Sequence, residues 1–93
     1  MKIRTPLLLL NLKVYDEAIE NYLGIAKVAK KVSDDLGVSI AIAPSHLTLK
    51  EVSKILPTFA QNIEPFEPGA HTGSVLAEEV RKSGAVGSLI NHS

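Results

Sequence analysis

The apolar positions change period several times along the chain. A continuous run, Leu7 to Leu10, is followed by Ile19, Leu23, Ala26, Ala29, Val32 and Leu36 in steps of three and four, with Glu17, Glu20, Lys27, Lys30 and Lys31 between them. The first pattern predicts a buried strand over Pro6 to Lys13, the second a helix over Asp16 to Leu36 that stops at Gly37. Proline is tolerated at the start of a strand because a first residue need not donate to the ladder. Val38 to Ala43, β-branched and small, reads as a second strand ended by Pro44. Leu49, Val52 and Leu56 form the stripe of a short helix, with Thr48 and Glu51 at capping-box spacing and Pro57 at its end. Thr58 to Ile63 is the third strand. Glu64 to Ser74 has two prolines, two glycines and no period, a loop long enough to expect a role. Val75 to Ser83 is the third helix, with Glu78 and Glu79 early, Arg81 and Lys82 late and Gly84 beyond, as the helix dipole favours. A fourth strand runs from Val86 into His92.

This alternation of strands and helices predicts βαβ units around a parallel sheet, an α/β chain forming one domain over residues 1–93. Such folds carry their chemistry at the carboxyl ends of the strands. Here those ends offer Asn11 and Lys13, then Pro44 and Ser45, then Gln61 and Asn62, and last Asn91, His92 and Ser93. No carboxylate is among them, which disfavours a phosphate-accepting receiver domain, whose Mg²⁺ needs acidic ligands there. The turn after the first strand has no glycine to admit a pyrophosphate, so dinucleotide binding is disfavoured too. The remaining rim suits a small phosphorylated or enolising substrate. Lys13 meets its negative charge and His92 serves in proton transfer or as an electrophile.

Charge and composition narrow the partners. Basic and acidic residues balance at ten each, so no long-range field recruits nucleic acid or an anionic membrane. With no cysteine, disulfide scaffolds, thiolate metal sites and cysteine nucleophiles are excluded. The first apolar run is too short to span a bilayer, and the chain reads as soluble and cytoplasmic. His46 and His71 lie in loop-like contexts and read as surface residues. A metal site is disfavoured because no two histidines have i, i+4 spacing and no carboxylate completes a set. Gly69 to Gly73 lacks the lysine of a phosphate-binding loop and reads as a turn. Tyr15, Tyr22, Phe59 and Phe66 read as packing residues.

Four segments together resemble a known family: Asn11-Leu12-Lys13, Phe59-Ala60-Gln61-Asn62, Pro68-Gly69-Ala70-His71-Thr72-Gly73 and Leu89-Ile90-Asn91-His92-Ser93. In order and spacing they are similar to the amino-terminal part of the triosephosphate isomerases, most closely the shorter archaeal form. The resemblance implies the first four strands of a (β/α)₈ barrel, a truncated half-barrel of parallel βαβαβαβ units, where the family closes eight strands over ~200 residues or more. It implies interconversion of dihydroxyacetone phosphate and glyceraldehyde 3-phosphate through an enediolate, a step of glycolysis and gluconeogenesis, with no cofactor. Asn11 and Lys13 would bind substrate, Lys13 offsetting phosphate and enediolate charge, and His92 would be the neutral electrophile that polarises the carbonyl. Thr72, at the tip of the long loop, would reach into a neighbouring subunit of a homo-oligomer. The family's glutamate base, lid and phosphate loops lie beyond Ser93, so the 93-residue chain is expected to be inactive alone. The alternatives are a non-enzymatic half-barrel assembly module and a small phosphate-ligand binder. Open edges on the first and fourth strands, with Leu8, Leu10, Ile40 or Ile42 exposed according to register, predict association through apolar strands.

Overall fold

A computed structural model describes residues 3–92. Ser93, the last member of the expected exit triplet, lies outside the described residues. The chain order is β1 (Leu7–Asn11), α1 (Asp16–Leu36), β2 (Ser39–Ala43), a 3₁₀ turn (His46–Thr48), α2 (Leu49–Ser53), β3 (Phe59–Ala60), α3 (Ala77–Lys82) and β4 (Gly87–Ser88). The α1 limits are those the periodicity predicts. Gly37 ends it in the left-handed region, φ 68°, and donates its N–H to the Ser33 carbonyl at 2.9 Å.

The strands pair in parallel, β1 with β2 and β3 with β4. The expected parallel strand–helix units are present, but in place of one four-stranded half-barrel sheet the described residues form two two-stranded sheets, linked by a bridge between Ile42 and Thr58. Two prolines account for the interruption. Ile42 N–H donates to the Pro57 carbonyl at 3.1 Å. In a parallel ladder the Ile42–Thr58 bridge uses this bond and a return bond from Phe59 N–H to the Ile42 carbonyl; the bond before this pair would need an N–H from Pro57 and the bond after it an N–H from Pro44. Neither exists, and the ladder cannot extend.

The two strand pairs underlie two cores. Under α1, Ala26, Ala29, Ile40, Ile42, Val52 and Leu56 are buried together; beyond β3, Leu49, Ala60, Val80 and Ala85 form the second cluster. Of the six-residue stripe expected on α1, only Ala26 and Ala29 are buried, while Ile19, Leu23, Val32 and Leu36 stay exposed. The two alanines are the members of the stripe that pack with Ile40 and Ile42 in the buried cluster. The register Leu8 to Ile40 and Leu10 to Ile42 puts these residues on the face that α1 covers. Ile40 and Ile42 are thus buried, contrary to the expectation of an open apolar surface there, and Leu8 alone of the four is largely exposed, at 52%.

Other boundaries shift for local reasons. β3 ends at Ala60, three residues early, because the chain bends at Gln61. α3 starts two residues late. Val75 and Leu76 are extended beside Glu64, whose N–H donates to the Val75 carbonyl at 2.8 Å and whose carboxylate accepts Val75 N–H at 2.5 Å. The expected capping box is not formed. The Thr48 hydroxyl donates to the Ser45 carbonyl at 3.0 Å, and Glu51 Oε1 accepts the Tyr22 hydroxyl at 2.9 Å. β4 is short, yet Val86 and Leu89 on either side still donate to Thr58 and Ala60 at 2.8 Å each. Gly87 is required opposite Phe59, since a Cβ there would lie 2.6 Å from the phenyl ring.

Candidate functional site

Where β1 leaves the sheet the backbone turns sharply. Lys13 has φ 54°, in a region that a lysine seldom occupies. Its two main-chain groups explain how the conformation is held. The Lys13 N–H donates to Asn11 Oδ1 at 3.0 Å, a local asparagine turn. The Lys13 carbonyl accepts from Gln61 Nε2 at 2.9 Å, and the same nitrogen donates to the Ala43 carbonyl at 3.0 Å. Both neighbours are acceptors, so the nitrogen must face them, and both amide hydrogens are used. One side chain from the end of β3 thereby ties the exits of β1 and β2. The Lys13 ammonium lies 5.6 Å from the centre of the Tyr15 ring, a cation–π contact at the start of α1.

The exit of β4 also enters the left-handed region. Asn91 has φ 59°, and His92 follows directly. Asn11, Lys13, Val14, Gln61, Leu89 and His92 line one open cleft of about 300 Å³. Asn11 and Lys13 from the β1 exit and His92 from beyond β4 thus line the same cleft, with His92 on its exposed rim. None of the lining residues is a carboxylate. Among the described residues, no three His, Cys, Asp or Glu side chains gather as a metal would require.

Thr72 is not part of this cleft. It is exposed on the loop between β3 and α3, where His71 N–H donates to the Gly69 carbonyl at 2.8 Å and Ser74 N–H to the His71 carbonyl at 3.0 Å. The segment is a turn, as its lack of a lysine implies. His71 stacks on Phe66 at the surface, ring centroids 4.4 Å apart. His46 departs from the surface reading. It is half-buried, and its Nε2 accepts the Asn62 N–H at 3.2 Å. Gln61 is the functional residue for which the sequence suggested no task. A strand-exit amide facing two other strand exits was its one available signal.

The triosephosphate isomerase profile matches residues 6–93, nearly the whole chain. The chain belongs to the triosephosphate isomerase family. Among archaeal relatives bearing that name, the protein of Methanothermus fervidus is 47% identical over 91 residues, 95% of this chain and 41% of the relative. Those of Methanothermobacter thermautotrophicus and Pyrobaculum calidifontis are 46% and 45% identical over 96% and 97% of this chain. The resemblance to the archaeal form carried by the four motifs is borne out. The chain spans about 40% of the length of these curated relatives.

Proposed function

We propose that the cleft is the Lys13 and His92 side of a triosephosphate isomerase active site. The observation that carries this reading is the convergence of Asn11, Lys13 and His92 on one cleft, with the Lys13 backbone held at both of its polar groups. A triose phosphate seated there brings its anionic group to the Lys13 ammonium, and Asn11 keeps that lysine in place. As the enediolate forms, negative charge grows on the substrate oxygens, and a fixed cation together with the His92 imidazole stabilises the transition state more than the ground state. No lining carboxylate can take the proton α to the carbonyl, so this chain supplies electrophiles without a base.

The purified chain is accordingly expected to show no isomerase turnover above background. Added polypeptide covering the rest of a relative's length is expected to restore turnover that Lys13→Met or His92→Ala removes. Activity of the chain alone, lost in Lys13→Met, would overturn the division between electrophiles and base.

Assembly belongs to the same reading. An apolar groove of about 560 Å³ runs beside the β1 edge, lined in part by Leu8, Leu10, Ile25, Val28, Val32 and Ile40. We read it, with the open β1 edge, as covered by further polypeptide in a cytoplasmic homo-oligomer in which Thr72 makes a contact. Among the described residues no helix is long and apolar enough to cross a membrane.

A further inference from the structure

His46 is joined to the site through its neighbours rather than through the cleft. It opens the 3₁₀ turn after β2, and its ring meets the segment that leaves β3. The Nε2 lone pair accepts the Asn62 N–H at 3.2 Å, which requires the ring proton of the neutral imidazole to be on Nδ1. Asn62 is the residue after Gln61, and the Gln61 carboxamide holds the Lys13 carbonyl at 2.9 Å and the Ala43 carbonyl at 3.0 Å. β3 is only two residues long, so little ladder fixes the direction in which Gln61 leaves it. The imidazole supplies what the ladder does not. It anchors the peptide that immediately follows Gln61, and so sets the reach of the carboxamide toward Lys13.

We propose that His46 is a positioning residue for the Lys13 turn, acting through the Asn62 amide and the Gln61 side chain. The proposal rests on the reading of Lys13 as the anion-binding group only where anion affinity is the measured quantity. Its direct consequence is structural: an acceptor at position 46 keeps the Gln61 carboxamide in its two hydrogen bonds.

The test uses the intact ¹⁵N-labelled protein. In the unsubstituted protein a scalar coupling across the hydrogen bond between the Asn62 amide nitrogen and His46 Nε2 is expected, and its absence would overturn the proposal without any variant. In His46→Leu the Gln61 side-chain amide protons should exchange faster with solvent and the Lys13 amide resonance should move. Inorganic phosphate binding should weaken about fivefold, as the loss of one hydrogen bond implies. His46→Gln, which keeps an acceptor, should restore all three. Unmoved Gln61 and Lys13 resonances in His46→Leu, or failure of His46→Gln to restore them, would refute the positioning role. Phosphate binding unchanged in Lys13→Met would instead overturn the anion-site reading, and the Gln61 and Lys13 resonances would still decide the role of His46.

Discussion

The two sides of the cleft are held by different means. On the Lys13 side, β1 and β2 pair over five residues, the register continues through Leu12 N–H to the Ala43 carbonyl at 3.0 Å, and two amide side chains fix the turn that follows. On the His92 side, β3 and β4 pair over two residues, and the chain reaches His92 through a left-handed asparagine. The first arrangement is preorganised: Lys13 is aimed before any ligand arrives, so little binding energy goes into ordering its backbone. The second has the shorter ladder, extended by Val86 and Leu89 N–H donating to the Thr58 and Ala60 carbonyls and packed where the Phe59 ring lies over Gly87. In the proposed function His92 would need accurate aim as much as Lys13 does. The thinner side is therefore where the site gains most from additional packing against β4.

The largest expected effect breaks the thinner side. Gly87→Ala puts a Cβ 2.6 Å from the Phe59 ring, and the ring and two short strands must part. A loss of about 2 kcal/mol is expected from overpacking of this kind. Denaturant unfolding measures it, and NMR should show His92 moving while the Lys13 and Gln61 amides keep their positions. Phe59→Ala in the same chain should relieve most of the clash. A Gly87→Ala change that moves both sides equally would show that the two sheets respond as one, and the contrast between them would fall.

Gln61→Leu addresses the other side and is expected to cost less, about 1–2 kcal/mol for two lost hydrogen bonds. The Ala43 carbonyl keeps its bond from Leu12, and the Lys13 carbonyl is near enough to the surface to take water instead. Function should suffer more than stability. Without its carbonyl partner the Lys13 turn should relax from φ 54°, and phosphate affinity should fall although no charge has been removed. Wild-type affinity in Gln61→Leu would show that Asn11 alone fixes Lys13.

How much of this was legible follows the strength of the local signal. The α1 limits were readable to the residue because amphipathic spacing and a terminal glycine agree, and the β2 exit was readable because Pro44 cuts its apolar run; β1 ends at Asn11, two residues before the expected Lys13, because the chain turns there through a left-handed lysine. The lengths of β3 and β4 were not readable. Thr58 to Ile63 has strand composition, but which residues of β2 it faces is set only in the fold, where Pro57 and Pro44 stop the ladder on either side of the Ile42–Thr58 bridge. Thr48 and Glu51 had the spacing of a capping box, yet the Thr48 hydroxyl turned back to the Ser45 carbonyl and the Glu51 carboxylate took the hydroxyl of the distant Tyr22. Asn11, Lys13 and His92 stood out as candidate site residues by position and residue type. Gln61 and His46 hydrogen-bond to backbone atoms of other strand exits, and those partners were invisible until the exits came together.

The smallest expected effect lies in the firmer half and concerns Tyr22. Its hydroxyl joins α1 to α2 by donating to Glu51 Oε1 at 2.9 Å. That hydrogen bond raises the phenol above its ordinary value of 10.0, reinforced by partial desolvation and by the Glu51 charge. The protonated phenol is the form the fold favours, so the contribution is fully present below the unfolded value near 10 and is lost as pH rises through the higher folded value. Tyr22→Phe should therefore lower stability by the same small amount at every pH from neutral to about 10, after which the two proteins should converge. Ultraviolet titration of tyrosinate gives the independent check, since the substitution should remove the component that ionises late. A difference that grows above pH 10 has the wrong sign for this hydrogen bond. It would mean that the ionised phenol is the form held between α1 and α2, and that the firmer half is not tied together at this point.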